Sequence, residues 1–444
     1  MGTSQSSELT ALEEQLDSFD GSLRARAARD IAAVTDFPEP RRTCNMHLHS
    51  FYSYNAHGYS PSHLAYIARR EGFCASGMVD FDVLDGLEEC YAAGKTFGIP
   101  VAAGVESRVF VPEFADCEIN SPGEPGIAYH IGIGIPHVPA GGFAADFLDS
   151  MRETAASRTQ ALLQRVNDFL TPVTLDFDTD VRPLTPAGNA TERHLCHAFA
   201  RKAAEQFPDE EELAEFWEKK LGVSRGDMDL PSGSALQDMI RKKTMKRGGV
   251  GYVAPDQGSF PLMADMNRFV LEAGGIPVIA WLDGTTSGEQ DMERLCKTAM
   301  QSGAAALNII PARNYTPGVK DEKLENLYAV VRLCRELGLP VLAGTEMNSP
   351  SNKLENDFRC DELKPLWPDF YEGAMVAVAH AAMQRCAGIG YESDWAASRF
   401  TRTTDKKKFY ADVGARLSAH RKTEMPAVTS EMTPDEILNL NYAD

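Results

Sequence analysis

The chain has 444 residues, 43% of them apolar, and a formal net charge of −20 from 44 basic and 64 acidic side chains. That length is too great for one small domain and predicts two or three units, or one barrel with insertions. So acidic a surface disfavours a broad grip on long nucleic acid, which needs basic patches, yet leaves room for a small phosphorylated ligand, because bound metal ions reverse the local field.

The nine cysteines include no C-x-x-C pair, and their number is odd. This usage predicts a reduced, cytoplasmic protein with scattered thiols. No stretch of eighteen apolar residues occurs, and no basic segment followed by an apolar run opens the chain, so neither a membrane span nor a signal peptide is expected. Oligomeric state is left open.

In chain order, residues 1–8 read as a loose polar start. Residues 9–34 carry Leu9, Leu12, Leu16, Leu23, Ile31 and Val34 at helical spacing, broken near Asp20-Gly21. Strand and helix signals alternate from residue 44. Asn45–His49 reads as a strand. Ser60-Pro61 marks a helix start, with Ser60 as N-cap and Pro61 in the first turn. The next short strand is 73–80, a helix spans 84–94, and a strand over 100–105 ends on Glu106. A further strand, 127–135, contains His130. Each connection is long enough for a crossover, so a parallel α/β barrel or open sheet is expected.

Residues 141–170 are helical by composition, 171–190 are a proline-rich connection, and 191–207 form a helix carrying His194 and His197. Residues 208–250 are highly charged and predict an inserted helical lobe. Its basic run from Arg241 to Arg247 reads as a solvated face more readily than as a substrate contact. Alternation resumes after 258 and ends in a strand, 342–346, running into Glu346-Met347-Asn348. The segment 324–337 is a helix stopped by Gly338. After about residue 360 the chain is helical again.

The stretch Cys44-Asn45-Met46-His47-Leu48-His49-Ser50 draws most notice. On a strand, His47 and His49 project to one side and reach a common point. Neutral imidazoles suit Zn, Fe or Ni. Two histidines at this spacing also occur without a metal. The distribution adds weight: of ten histidines, four fall between His47 and His63.

Taken in order, His47, His49, Asp80, Glu106, His130, His194 and Glu346 resemble the polymerase and histidinol phosphatase (PHP) superfamily. The likeness is nearest to its bacterial metal-dependent phosphoesterase branch with an inserted helical lobe, and it spans roughly residues 43–350. His47-Leu48-His49-Ser50 matches the first motif, Asp80-Phe81-Asp82 the second, Gly104-Val105-Glu106 the third and Gly344-Thr345-Glu346-Met347-Asn348 the last. The resemblance implies a distorted (β/α)7-type barrel with an inserted, mostly helical lobe and helical extensions at both ends. The expected boundaries are an extension over 1–42, barrel over 43–200, lobe over 201–255, barrel over 256–358 and extension over 359–444.

The resemblance also implies ligands: His47, His49, Glu106 and Glu346 for one divalent ion, and Glu106, His130 and His194 for a second. Three other positions depart from the family. Tyr54 stands where an aspartate is usual, and Phe81 and Asn348 stand where histidines are usual. All three departures fall on the ligands of one further metal, so two ions are expected, Zn, Mn or Fe. Trp281 replaces a strand-end histidine common in this branch. Asp80 is expected to orient a ligand histidine through its free N–H. Arg193 and Arg313 are candidates to hold phosphate, and His57 to shuttle a proton. The expected function is hydrolysis of a phosphate ester, in a small metabolite or short oligonucleotide, by metal-activated water. The alternative is a PHP-type fold that has lost this activity and hydrolyses another bond or serves as a ligand-binding module.

Overall fold

The computed structural model describes residues 3–254, 258–315 and 318–443. The chain forms two compact units. One consists of Met1–Ser50, Asn55–Leu148 and Phe260–Asp444, the other of Phe51–Tyr54 and Asp149–Ser259.

The larger unit is a barrel of seven strands whose spatial order follows the chain: β1 (Asn45–Leu48), β2 (Ser76–Phe81), β3 (Val101–Phe110), β4 (Ile127–Ile133), β5 (Ile276–Trp281), β6 (Ala306–Ile309) and β7 (Val341–Ala343). All neighbours are parallel except that β4 runs against both β3 and β5. The expected all-parallel pattern fails here because the β3–β4 connection holds only a short turn of helix, Pro112–Phe114. An antiparallel return needs no crossover helix. Beyond β7 the chain comes back to β1. Leu48 and Glu346 form a parallel bridge, Glu346 N donates to His47 O at 2.8 Å, and His49 N donates to Glu346 O at 3.0 Å. The barrel is thus nearly closed, with helices interleaved between its strands.

The helix starts follow local chemistry. Ser60 Oγ accepts from His63 N at 3.1 Å and caps helix Pro61–Arg70. Helix Lys320–Leu337 stops on Gly338, which is left-handed at φ 76°. The expected loose start is instead helical, since helix Thr3–Gln15 begins two residues into the chain. A second helix, Gly21–Val34, is capped by Asp20 and joined by an Arg24–Glu89 ion pair to helix Leu87–Phe97.

The expected C-terminal extension does more than extend. Helix Trp367–Ala387 buries Ala374 to Met383 without interruption, the mark of a helix enclosed on all sides. Gly373 lies so close to β7 that a Cβ there would sit 2.0 Å from Val341 O.

The smaller unit is helical: Glu192–Gln206, Glu210–Leu221, Ser234–Ile240 and the later turns of Gly142–Leu170. Its longer segment, Asp149–Ser259, begins ahead of the expected lobe boundary at 201. The reason is apolar packing: Leu163, Val166 and Leu170 share one core with Phe199, Trp217 and Leu236. The expected boundary at 255/256 lies outside the described residues. Among the described residues, no helix is long and apolar enough to cross a membrane.

Candidate metal centre

Strand β1 projects His47 into the barrel, and the residue after next, His49, returns to the same side. Glu106 on β3 pairs in register with Phe81 on β2 and faces the same interior. Three donors converge: Glu106 Oε2 lies 3.2 Å from His47 Nε2 and 3.1 Å from His49 Nε2, and the two Nε2 atoms are 3.3 Å apart. All three residues are buried. Donors bound tetrahedrally at about 2.0 Å would be separated by about 3.3 Å, so the set fits one divalent ion. It is the only group of three or more such donors found among the described residues.

The surroundings orient the donors. Asn308 Oδ1 lies 2.9 Å from His47 Nδ1 and can only accept, so Nδ1 carries the proton and Nε2 turns its lone pair to the centre. The ring of Phe81 stacks on His49 at 4.3 Å and 12°. Asn55 Nδ2 donates to His49 O at 2.8 Å. Asp80 accepts from Ser50 N at 2.7 Å and Ser50 Oγ at 2.6 Å, so it fixes the turn behind His49.

The electrostatics suit a cation. Burial opposes charge on His47, but the Glu106 carboxylate beside it prevails and raises its pKa above the ordinary 6.5. Burial likewise opposes charge on Glu106, yet His47 and His49 bring its pKa down to about 2. Glu346 adds to the pull on His47. Its own carboxylate turns to Arg313, at 3.3 Å from both oxygens, and lies outside the converging set. Glu346 and Met347 are left-handed, with φ of 72° and 56°. Such conformations cost about 1–3 kcal/mol each and persist where the surroundings hold them. Here the holding bonds are those of Glu346 to β1 and of Met347 O, which accepts from Ala56 N at 3.0 Å.

Besides Glu346, two further expected ligands lie outside the converging set. His130 pairs with Ser107, whereas Glu106 pairs with Ile131, so His130 and Glu106 point to opposite faces of the sheet. His130 faces outward, where helix Met263–Glu272 brings Asn267 Oδ1 to 2.6 Å from its Nε2. Burial lowers its pKa to about 4. The sequence shows that His130 lies in a strand; the antiparallel register decides its face.

His194 belongs to the helical unit. Its Nδ1 accepts from Thr191 N at 3.1 Å and closes the first turn of helix Glu192–Gln206, which puts the neutral ring's proton on Nε2. Burial lowers its pKa to about 3. Tyr54 meets this ring edge-on at 5.2 Å, and Arg193 is ion-paired with Asp238. His57 is exposed and stacks on Tyr59 at 5.3 Å. Trp281 is fully buried at the end of β5, and Asn348 is half-buried.

The sequence reading missed Asn308. Its signal was a lone polar side chain in the apolar run Ala306-Leu307-Asn308-Ile309. It also missed Glu289, a buried carboxylate accepting from the backbone N–H groups of Leu282, Asp283 and Gly284 at 2.7, 3.0 and 2.9 Å. Burial pushes its pKa up to about 7.

No protein-family model matches the chain, and no curated protein matches it in sequence. Several solved structures are similar to it, two of them as follows. An amidohydrolase from Chromobacterium violaceum, with bound sulfate and no metal, shows 18% identity over 74% of this chain and 96% of its own, with a TM-score of 0.49. A protein described as a metal-dependent phosphoesterase from Bifidobacterium adolescentis shows 16% identity over 75% of this chain and 98% of its own, with a TM-score of 0.48.

Proposed function

We propose that the protein is a metal-dependent hydrolase whose substrate is a small phosphate ester. The observation that carries this reading is the convergence of His47, His49 and Glu106 in the buried interior of the barrel, with His47 already in the tautomer a metal ligand needs. The phosphate ester rests on the motif resemblance. A bound Zn, Mn or Fe would polarise the phosphoryl oxygen and lower the pKa of a bound water. The chain's part is to hold the donors, with Asn308 and Phe81 fixing the imidazoles and Glu106 supplying the negative charge. Arg313 presents a half-exposed guanidinium at the Glu346 rim, where a substrate phosphate can replace its carboxylate contact. His57, on the exposed loop tied back by Asn55, is the candidate for proton exchange with solvent.

The two-ion arrangement loses support from His130, which faces outward, and from His194, whose Nδ1 caps its own helix. One tightly held ion per chain is therefore the expected stoichiometry. The same two placements favour a second reading, a barrel that keeps one metal but acts on another bond or only binds a ligand. Elemental analysis after metal saturation, together with hydrolysis of an aryl phosphate, separates the readings. One ion with turnover supports the phosphoesterase, one ion without turnover supports the second reading, and no ion refutes both.

Metal binding is expected to release a proton. With its pKa raised above 6.5, His47 is protonated at about pH 6 in the metal-free protein, and the ion must displace that proton. Apparent affinity should then climb as pH rises through the raised pKa and level off above it. Calorimetry at about pH 6 in two buffers of different ionisation heat should show about one proton released per ion, falling toward zero at alkaline pH. Equal heats in the two buffers at the lower pH would contradict the assignment of His47.

A further inference from the structure

At the opposite end of β1 from His49, the barrel unit builds a polar cavity of about 430 Å³. It lies between the segment just before β1, from Arg41 to Thr43, and the loop from Lys353 to Arg359. Thr43 stands four residues before His47, about 13 Å along an extended strand, so this cavity is separate from the metal centre.

Its charge runs against the rest of the chain. Four cations line it, Arg41, Arg42, Lys353 and Arg359, against two acids. Both acids are engaged. Glu355 pairs with Arg41 at 3.0 Å and accepts from Thr43 Oγ1 at 2.9 Å, while Asp357 accepts from the Arg359 backbone N–H at 3.0 Å. Arg42, Lys353 and Arg359 are exposed and have no ion pair among the described residues. The Arg42 guanidinium lies over the Trp367 ring at 5.8 Å, a contact that steadies the side chain without neutralising it. Asp357 keeps its charge, so the four cations exceed the two acids by two, and an anion placed among them relieves the remaining repulsion.

The cavity is also built rather than loose. Thr43, Asn356 and Phe358 are buried beneath it. Asn356 Nδ2 donates to Gly344 O at 3.2 Å, and Asn45 Nδ2 donates to Leu354 O at 2.8 Å. These bonds fix the loop to β1 and to the strand end beside it, so the cations are carried on a defined frame.

We propose that this cavity binds a small phosphoryl anion, with Arg42, Lys353 and Arg359 as the charged contacts. The anion is free phosphate or pyrophosphate, or the phosphate end of a small metabolite. Guanidinium and ammonium groups bind phosphoryl oxygens through charge-assisted hydrogen bonds. The site does not depend on the metal centre.

The test is calorimetry on the full chain, stripped of metal by chelator and then freed of chelator, at constant ionic strength. Pyrophosphate and ribose 5-phosphate are titrated separately, and the tighter of the two tells free anion from metabolite. One saturable site per chain is expected. Lys353→Ala and Arg359→Ala should each weaken binding about tenfold, the loss of one charged contact. The exposed cations Lys242, Lys243 and Arg247 of the helical unit provide the control. Their triple change to alanine removes more charge and should leave binding unaltered. Absence of saturable binding of either probe would overturn the proposal, as would equal losses in the control variant or unchanged binding in both single variants. Because metal is absent throughout, failure here leaves the metal-centre reading standing, and failure of that reading leaves this one standing.

Discussion

Glu106→Gln is expected to lower divalent-ion affinity by more than the 10–100-fold typical of a lost supporting contact, and to abolish any hydrolysis that depends on the ion. The change keeps the size of the side chain and removes the one carboxylate of the converging set. Two effects add. The ion loses its anionic ligand, and two neutral imidazoles in a buried site repay less of its dehydration. The amide also loses the charge that holds His47 protonated, so the pKa of His47 should fall below that of the parent protein. The proton released on metal binding should fall with it. In the metal-free protein the sign of the stability effect follows. A carboxylate lowered from 4.5 to about 2 contributes stability above its unfolded pKa and loses it as pH falls through the folded value. Replacing Glu106 should therefore cost stability at neutral pH and little near pH 2. Metal titration, isothermal calorimetry and chemical denaturation at two pH values measure these quantities. Unchanged ion affinity in Glu106→Gln would remove the metal centre as assigned.

Gly344→Ala is expected to be strongly damaging for a single added methyl. A Cβ at Gly344 would lie 2.1 Å from His47 Cβ and 2.8 Å from the His47 backbone. Neither can move aside as the tip of a long side chain can. The strand end beyond β7 must shift away from β1, and the bonds from Glu346 N to His47 O and from His49 N to Glu346 O go with it. Overpacking of this kind costs about 1–3 kcal/mol or more, so in a unit of this size the melting temperature should fall by about 1–4 °C or more. Ion affinity should fall too, since the displaced segment no longer holds His47 and His49 through those bonds. Gly141→Ala is the control. No atom lies within 4 Å of a Cβ built there, and its melting temperature should stay within about 1 °C of the parent. Thermal melting with and without added metal reads both effects. Equal melting temperatures for the two variants would mean that the strand ends do not meet as described.

Much of the barrel was legible because its signals are local. The cap at Ser60-Pro61, the stop at Gly338 and the strand around His47 depend on a few neighbouring residues, and the structure has all of them. His47 and His49 were legible as a pair because the two-residue repeat of a strand sets them on one side. Glu106 at a strand end joined them through the resemblance, and the structure brings the three together. The direction of β4 was not legible. A strand of seven residues carries the same composition whichever way it runs, and only its pairing with β3 and β5 sets its direction.

That one undecided fact moves a site residue. With β4 antiparallel in this register, Ser107 rather than Glu106 stands opposite His130, and the imidazole faces the helix layer. A strand's side chains alternate with period two, so a shift of one residue sends them all to the other face. His194 carries the same lesson for helices: the sequence marks it near a helix start, but only the fold shows its Nδ1 spent on the Thr191 N–H. The sequence by itself determined the strand around His47, the helix start at Ser60-Pro61, the stop at Gly338, and that His47 and His49 share one side, because each follows from contacts within a few residues. Only the tertiary structure decided which side of the sheet His130 faces, that Asn308 orients His47, and that the cations Arg42, Lys353 and Arg359 share a cavity. Each of these depends on segments far apart in the chain, whose pairing local chemistry leaves open.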